Sequence, residues 1–209
     1  KEVYNSFNLI GKKNLDNNHI INNIFRESIK VATDVGETLS NDIIEISSLI
    51  FARLMNGNKI MACGNGGSAG DSQHFASELV NRFEIDRNEL AALALTTDSS
   101  TITSIANDYG YDEIFSKQIS ALGKKNDILL AITTSGNSKN IYRAIKQAQN
   151  NDITVILLTG RDGGKASSIL MDRDREIKIP SNSTARIQES HLIIIHCICS
   201  LIENKMVKK

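Results

Sequence analysis

The sequence has a single proline, Pro180, no low-complexity tract and no obvious linker. It therefore reads as one domain of ordinary size, or one domain with an extension, rather than a string of modules. Only three cysteines occur, Cys63, Cys197 and Cys199. They are odd in number and form no C-x-x-C pair, so reduced thiols in a cytosolic protein are the simplest reading. Charge of one sign is also lacking: 24 basic and 24 acidic residues cancel. A neutral chain has no global attraction to nucleic acid or to a membrane surface. The longest apolar run, LIIIHCIC from Leu192, is too short to cross a bilayer. The N-terminal stretch KEVYNSFNLIGKKNLDNN contains no apolar core of a signal peptide.

What is present is enough for a core, since 41% of the residues are hydrophobic. Two early segments, HIINNIFRESIKVATDVG and SNDIIEISSLIFARLMNG, space their apolar residues three and four apart, as helices do. Gly36 and Gly57 are natural stops for them and Ser40 is a plausible N-cap. From Lys59 the texture changes. Short apolar runs (KIMAC, LAALALT, DILLAIT, ITVILLT, REIKIP) appear, with helical patterns such as SKNIYRAIKQAQNN and a short GGKASSIL segment between the later ones. Such alternation implies an α/β fold with a parallel sheet covered on both faces. A last helix is expected from about Ser183 to Glu203, apolar on most sides of its centre and hence buried in a core or an interface.

In an open α/β sheet, ligands bind beyond the carboxyl ends of the strands. Two loops there combine glycine with small polar residues: GNGGSAGD after the first strand, and TTSGNS, from Thr133 to Ser138, after the third. Glycine lets backbone N–H groups approach an anion, and the helix that follows offers its positive end. Ser68, Thr134, Ser135 and Ser138 add hydroxyl donors. The plainer alternative is a pair of ordinary strand-to-helix turns. A nucleotide P-loop is excluded, because no lysine follows Gly66 or Gly67. A dinucleotide site is harder to dismiss, since Gly64, Gly66 and Ala69 fit G-x-G-x-x-A, with Asp98 as a ribose acceptor. Asp98 comes later than the usual spacing of about 20 residues, however, and that fold leaves the second loop unexplained. A small phosphorylated sugar explains both loops better.

Behind the first loop, His74 and Glu78 stand one helical turn apart, a spacing that suits a shared metal, an acid/base pair or a plain surface contact. The last helix adds Gln188, His191 and His196, so three of the four histidines fall in these two segments. IANDYGYDEIF places Asn107 and Asp108 in an expected polar turn after the second strand.

Four motifs together, GNGGSAGDSQHFASEL, IANDYGYDEIF, TTSGNS and ARIQESHLIIIH, resemble the sugar isomerase (SIS) domain family over nearly the whole chain from about Ile20. Within it they are closest to the isomerases of sedoheptulose 7-phosphate. The resemblance implies a three-layer αβα sandwich with a flavodoxin-like five-stranded parallel sheet, made by residues 58–209. It implies an N-terminal helical extension, residues 1–57, that builds a homotetramer with active sites at subunit interfaces. It also implies aldose–ketose interconversion with D-glycero-D-manno-heptose 7-phosphate, the first step toward ADP-heptose for the lipopolysaccharide core, in the bacterial cytoplasm.

The family's sugar-binding residues fall on Asn65, Gly66, Gly67, Asn107 and Asp108, with Ser68 beside them. Its phosphate loop falls on Thr133, Thr134, Ser135 and Ser138; the first departs from the family's serine but keeps a hydroxyl. A Zn2+ ion, one per subunit, is implied on His74, Glu78, Gln188 and His196, with Gln188 and Glu78 also touching substrate. Glu78 is expected as catalytic base and His196 as its partner acid in an enediol mechanism. The same fold also serves a non-enzymatic protein that binds the replication initiator DnaA, which this chain resembles in NRFE, ALGKKNDILLAI and IPSNSTARIQE. The presence of both Glu78 and His196 favours the enzyme. No segment resembling an appended DNA-binding domain is found, and neither nucleic acid nor membrane is expected as a partner.

Overall fold

The computed structural model describes residues 16–207, so the first fifteen residues of the expected helical extension lie outside the described residues. Two helices come first, α1 (Asn17–Thr38) and α2 (Ser40–Met55). Asp16 caps α1 by accepting the Asn18 N–H at 3.2 Å. Neither Gly36 nor Ser40 acts as expected. The helix runs through Gly36 to Thr38, and Ser40 is the first residue of α2, its hydroxyl bonded back to the Gly36 carbonyl. Satisfied in this way, that carbonyl needs no glycine C-cap, and the chain turns at Leu39 instead.

The alternating part follows as β1 (Ile60–Gly64), α3 (Gly67–Val80), β2 (Ala92–Ala94), α4 (Ser99–Tyr109), a 3₁₀ turn (Tyr111–Glu113) and α5 (Ser116–Leu122). Next come β3 (Ile128–Ile132), α6 (Lys139–Asn150), β4 (Thr154–Gly160), α7 (Gly164–Ser167), β5 (Arg175–Ile179) and α8 (Thr184–Val207). All five expected strands form one parallel sheet in the order β2-β1-β3-β4-β5. This is the flavodoxin-like order, whose topological switch point lies between β1 and β3. Both loops singled out in the sequence leave the carboxyl ends of those two strands.

Alternate residues of the central strands feed two cores. Ile60, Ala62, Leu130, Ile156 and Leu158 face α2, α3 and α8, where they meet Ile46, Ile50, Phe75, Ile194 and Ile198. Met61, Cys63, Leu129, Ala131, Val155 and Leu157 face α5 and α6, where they meet Ile119, Ile141, Ala144, Ile145 and Ala148. The result is three layers. Because α2 shares the first core with the sheet, truncating Ile50 to alanine would cost about 2–5 kcal/mol. By length and composition α8 resembles a membrane span. It lies instead across the sheet, with Ile187, Ile194, Ile195, Ile198 and Ile202 fully buried, as a core helix does.

His191 belongs to that buried face of α8, and its Nε2–H donates to the Thr159 carbonyl at 3.0 Å. Its Nδ1 is buried without a partner. Burial pushes its pKa down to about 4, against which the Thr159 contact works weakly. It is therefore a core histidine and neutral. The unfolded chain takes up a proton at this residue near pH 6.5, whereas the folded chain resists until about pH 4. Its stabilising effect is thus whole above pH 6.5 and is lost as the pH falls toward 4. In urea unfolding, the wild type should lose about 2 kcal/mol more than His191→Gln between about pH 7.5 and pH 5. Equal losses would show that His191 titrates normally.

Candidate active site

Beyond Gly64 the chain turns through Asn65 and Gly66 into α3. Gly66 has φ of 56°, a left-handed conformation that side chains disfavour, and caps α3 without any side-chain hydrogen bond. The Ser68 N–H turns back to the Asn65 carbonyl at 3.0 Å, and Ser68 itself is buried. Gly67 lies against α8: a Cβ there would run into the Gln188 amide.

The second loop leaves β3 at Thr133 and enters α6 at Lys139. The Gly136 N–H donates to Thr133 Oγ1 at 3.3 Å, and the Asn137 N–H donates to Ser135 Oγ at 3.2 Å. Among the described residues the N–H groups of Thr134, Ser135 and Ser138 meet no protein acceptor, and the Ser138 hydroxyl makes no cap hydrogen bond. Open N–H groups at a helix start form an anion nest. Asn65, Ser68, Thr133, Thr134, Ser135, Ser138 and Gln188 line a mainly polar cavity of about 80 Å³ here, of a size for one tetrahedral anion. The loop is braced from behind by the turn after β4. There the Ala166 N–H donates to the Gly136 carbonyl at 2.9 Å, and the Lys165 N–H donates to Asn137 Oδ1 at 3.3 Å.

The catalytic candidates come together between α3 and α8. His74 Nε2 lies 2.9 Å from His196 Nε2 and 3.6 Å from Glu78 Oε1. At 2.9 Å one ring must donate and the other accept, so the pair shares a proton. Phe83 stacks on the other side of His196, with ring centres 5.4 Å apart. Nearby Asp71 buries one carboxylate oxygen with no hydrogen-bond partner. Burial raises its pKa, and the charge of His74 opposes that rise.

Two histidines and a glutamate are the donor types zinc takes. No three His, Cys, Asp or Glu side chains among the described residues make a ready metal-holding group. Gln188 faces Gly67 and the anion cavity, two turns of α8 away from His196.

Asn107 and Asp108 depart from their expected place. They lie in the last turn of α4 rather than in a turn after β2, exposed, with the Asn107 amide bonded to Asp108 Oδ1 at 2.9 Å. Asp98 caps α4 through the Thr101 N–H and hydroxyl, which starts the helix early and carries it through to Tyr109. The Asn65 side chain is committed elsewhere too. It pairs reciprocally with the Asn140 amide at 2.8 and 2.9 Å and accepts from Tyr111 Oη at 3.1 Å. Asn140 and Tyr111, which the sequence reading passed over, thus tie the two loops together. The one available signal was an asparagine in the first turn of α6, a helix position where Asn more often bonds backbone.

Gly136, with φ of 66°, packs its α-carbon on the Gly163 backbone. Gly136→Ala should destabilise the fold by more than about 1 kcal/mol, since alanine is strained at positive φ. It should also raise the sugar-phosphate KM at least about ten-fold, the worth of one N–H bond to a charged oxygen. An unchanged KM in steady-state assays would remove this loop from the site.

A SIS domain family model matches residues 24–160. The chain is 56% identical to the phosphoheptose isomerase of Shewanella sediminis over 186 residues, 89% of this chain and 94% of that one. The phosphoheptose isomerase structure from Neisseria gonorrhoeae superposes with a TM-score of 0.85 at 46% identity, covering 90% of this chain and 98% of that one. One from Francisella tularensis gives 0.89 at 42% identity, covering 91% and 100%. The order of the sheet, the two loops at its switch point and these likenesses over almost the full length agree: the chain belongs to the SIS domain family, among its phosphoheptose isomerases.

Proposed function

We propose that this isomerase converts sedoheptulose 7-phosphate to D-glycero-D-manno-heptose 7-phosphate through a cis-enediol, with Glu78 as base and His196 as partner acid. The observation that supports this most is the contact of Glu78, His74 and His196 close to an open anion nest. The phosphate is held by the Thr134, Ser135 and Ser138 N–H groups and nearby hydroxyls. This directs the C1–C2 end toward α3. The Glu78 carboxylate takes the proton from C1 of the ketose and returns it to C2. His196, sharing a proton with His74, takes the proton leaving O1 and gives one to O2. Gln188, beside Gly67, hydrogen-bonds the sugar between the two ends. Asn107 and Asp108, exposed at the end of α4, are assigned to the sugar through a neighbouring subunit or a bound-state movement of α4.

His74, Glu78 and His196, completed by Gln188 or by a neighbouring subunit, would hold zinc, which supplies polarisation of the carbonyl and hydroxyl and stabilises enediolate charge. A homotetramer is the assembly we propose, and unpartnered apolar surface supports it. Ile20, Ile21, Ile24, Phe25 and Ile29 of α1 and Ile193 of α8 are exposed. An apolar groove of about 460 Å³ is lined by Ile43, Ile44, Phe83, His196 and Leu201. Patches of this kind mark interfaces. Its place is the bacterial cytoplasm, at the first step toward ADP-heptose. The relatives named above are isomerases, and none of them supports the initiator-binding alternative.

Glu78→Gln keeps shape but cannot accept a proton. Turnover should fall at least about 10²-fold, the usual worth of a positioned general base, while sugar phosphate still protects the variant from thermal unfolding. Wild-type turnover in this variant would end the assignment. Native mass spectrometry should show four chains of 23.0 kDa with one zinc each. A lone chain, or an active metal-free assembly, would contradict the interface or the metal respectively.

A further inference from the structure

The helix that carries His74 and Glu78 has an unusual end. α3 stops at Val80 without a glycine cap, and its cap residue Asn81 has φ −93° and ψ −98°. Its last carbonyls are collected by one side chain. Arg87 Nη2 donates to the Glu78 carbonyl at 2.5 Å, and Nη1 donates to those of Leu79 at 2.8 Å and Asn81 at 3.2 Å. A guanidinium at a helix C-terminus satisfies orphan carbonyls and suits the negative end of the dipole. The cap is almost wholly buried, with the Arg87 side chain 4% exposed.

Its counter-charge comes from the other catalytic helix. Glu203 of α8, 2% exposed, lies 3.4 Å from Arg87 Nε. The same carboxylate accepts the N–H groups of Phe83 at 2.8 Å, Glu84 at 2.9 Å and Ile85 at 3.0 Å. Burial alone would raise its pKa, but these three donors and Arg87 outweigh burial and hold it below the ordinary range. Three consecutive N–H groups on one carboxylate fix the segment between α3 and β2 in a single shape. That shape puts the Phe83 ring against the His196 imidazole, at 5.4 Å between centres and 29° between planes. Glu203 and His196 are seven residues apart on α8, two turns along one face.

We infer that Arg87, Glu203 and Phe83 form a positioning clamp, by which the end of α3 and the ring of His196 are set against each other for proton transfer. None of the three has been placed in the reaction itself. Arg87 holds the backbone of the base, Phe83 holds the ring of the acid, and Glu203 joins the two. The inference rests on the reading of Glu78 and His196 as base and acid.

The test compares three variants by kcat, KM, urea midpoint and the isotope effect on kcat with sedoheptulose 7-phosphate dideuterated at C1. Phe83→Leu, a substitution at a half-buried site, keeps the ion pair and removes the stacked ring. Its kcat should fall about ten-fold with KM little changed, and Glu203→Gln should fall further, toward the roughly 10²-fold cost of a misplaced reacting group. The isotope effect should rise in both, because the proton step has become slower relative to release. A staple that serves only the fold would lower the urea midpoints and leave kcat per folded chain and the isotope effect at wild-type values, and that result overturns the inference. If Glu203→Gln does not fold, Phe83→Leu decides alone. Glu78→Gln runs alongside. Full turnover there overturns the underlying reading of the site and the clamp with it, whereas an inactive Glu78→Gln beside a fully active Phe83→Leu overturns the clamp only.

Discussion

The packing of α8 against α3 is the constraint on which the site depends. Both helices lie on one face of the sheet, held by Phe75 and Leu79 from α3 and by Ile194, Ile195 and Ile198 from α8 in a common core. Each such side chain is worth roughly 1.5–3 kcal/mol when buried, so the helix pair is fixed by forces far larger than any polar contact it carries. The polar groups use that rigidity. His74 reaches across to His196 with Glu78 beside it on α3, and Gln188, two turns earlier on α8, reaches Gly67. One apolar interface thereby supports both the proposed proton-transfer group and one wall of the anion cavity.

The proposed phosphate end is built by different means. Its donors are backbone N–H groups, which point where the chain points, so the loop must be immobilised through its backbone. The close approach of Gly136 to Gly163 does this from behind, and the paired Asn65 and Asn140 amides do it from the side. Any side chain at Gly136 would meet backbone, which cannot yield as a flexible side chain can. A loop built in this way is ordered before the ligand arrives, which lowers the entropy cost of binding.

Much of this was legible in the sequence, because it rests on short-range chemistry. The five strands announce themselves as apolar runs and the two loops as glycine with hydroxyl residues. The i,i+4 spacing of His74 and Glu78 already put them on one face. Errors came where a distant or competing contact decided the outcome. Ser40 looked like a cap until its hydroxyl was seen to bond the preceding turn. Asn107 and Asp108 looked like a turn because nothing local revealed that the Asp98 cap starts α4 early enough to contain them. Asn140, Arg87 and Glu203 carried no motif. Their roles come from tertiary proximity, Arg87 and Glu203 being 116 residues apart in the chain yet 3.4 Å apart in the fold. The donors of the metal proposal could be named from the sequence, but no closed set of three His, Cys, Asp or Glu forms among the described residues.

One sugar phosphate spanning from the Ser135–Ser138 nest to the cluster in which His74 meets both Glu78 and His196 is the central claim. The most direct measurement is a crystal structure of Glu78→Gln soaked with sedoheptulose 7-phosphate, in which the bound ketose is trapped before proton removal. The account predicts the phosphate on the N–H groups of Thr134, Ser135 and Ser138, and C1 and C2 within contact distance of the side chains at positions 78 and 196. A ligand with its phosphate away from that loop, or with its C1–C2 end turned away from position 78, would contradict it.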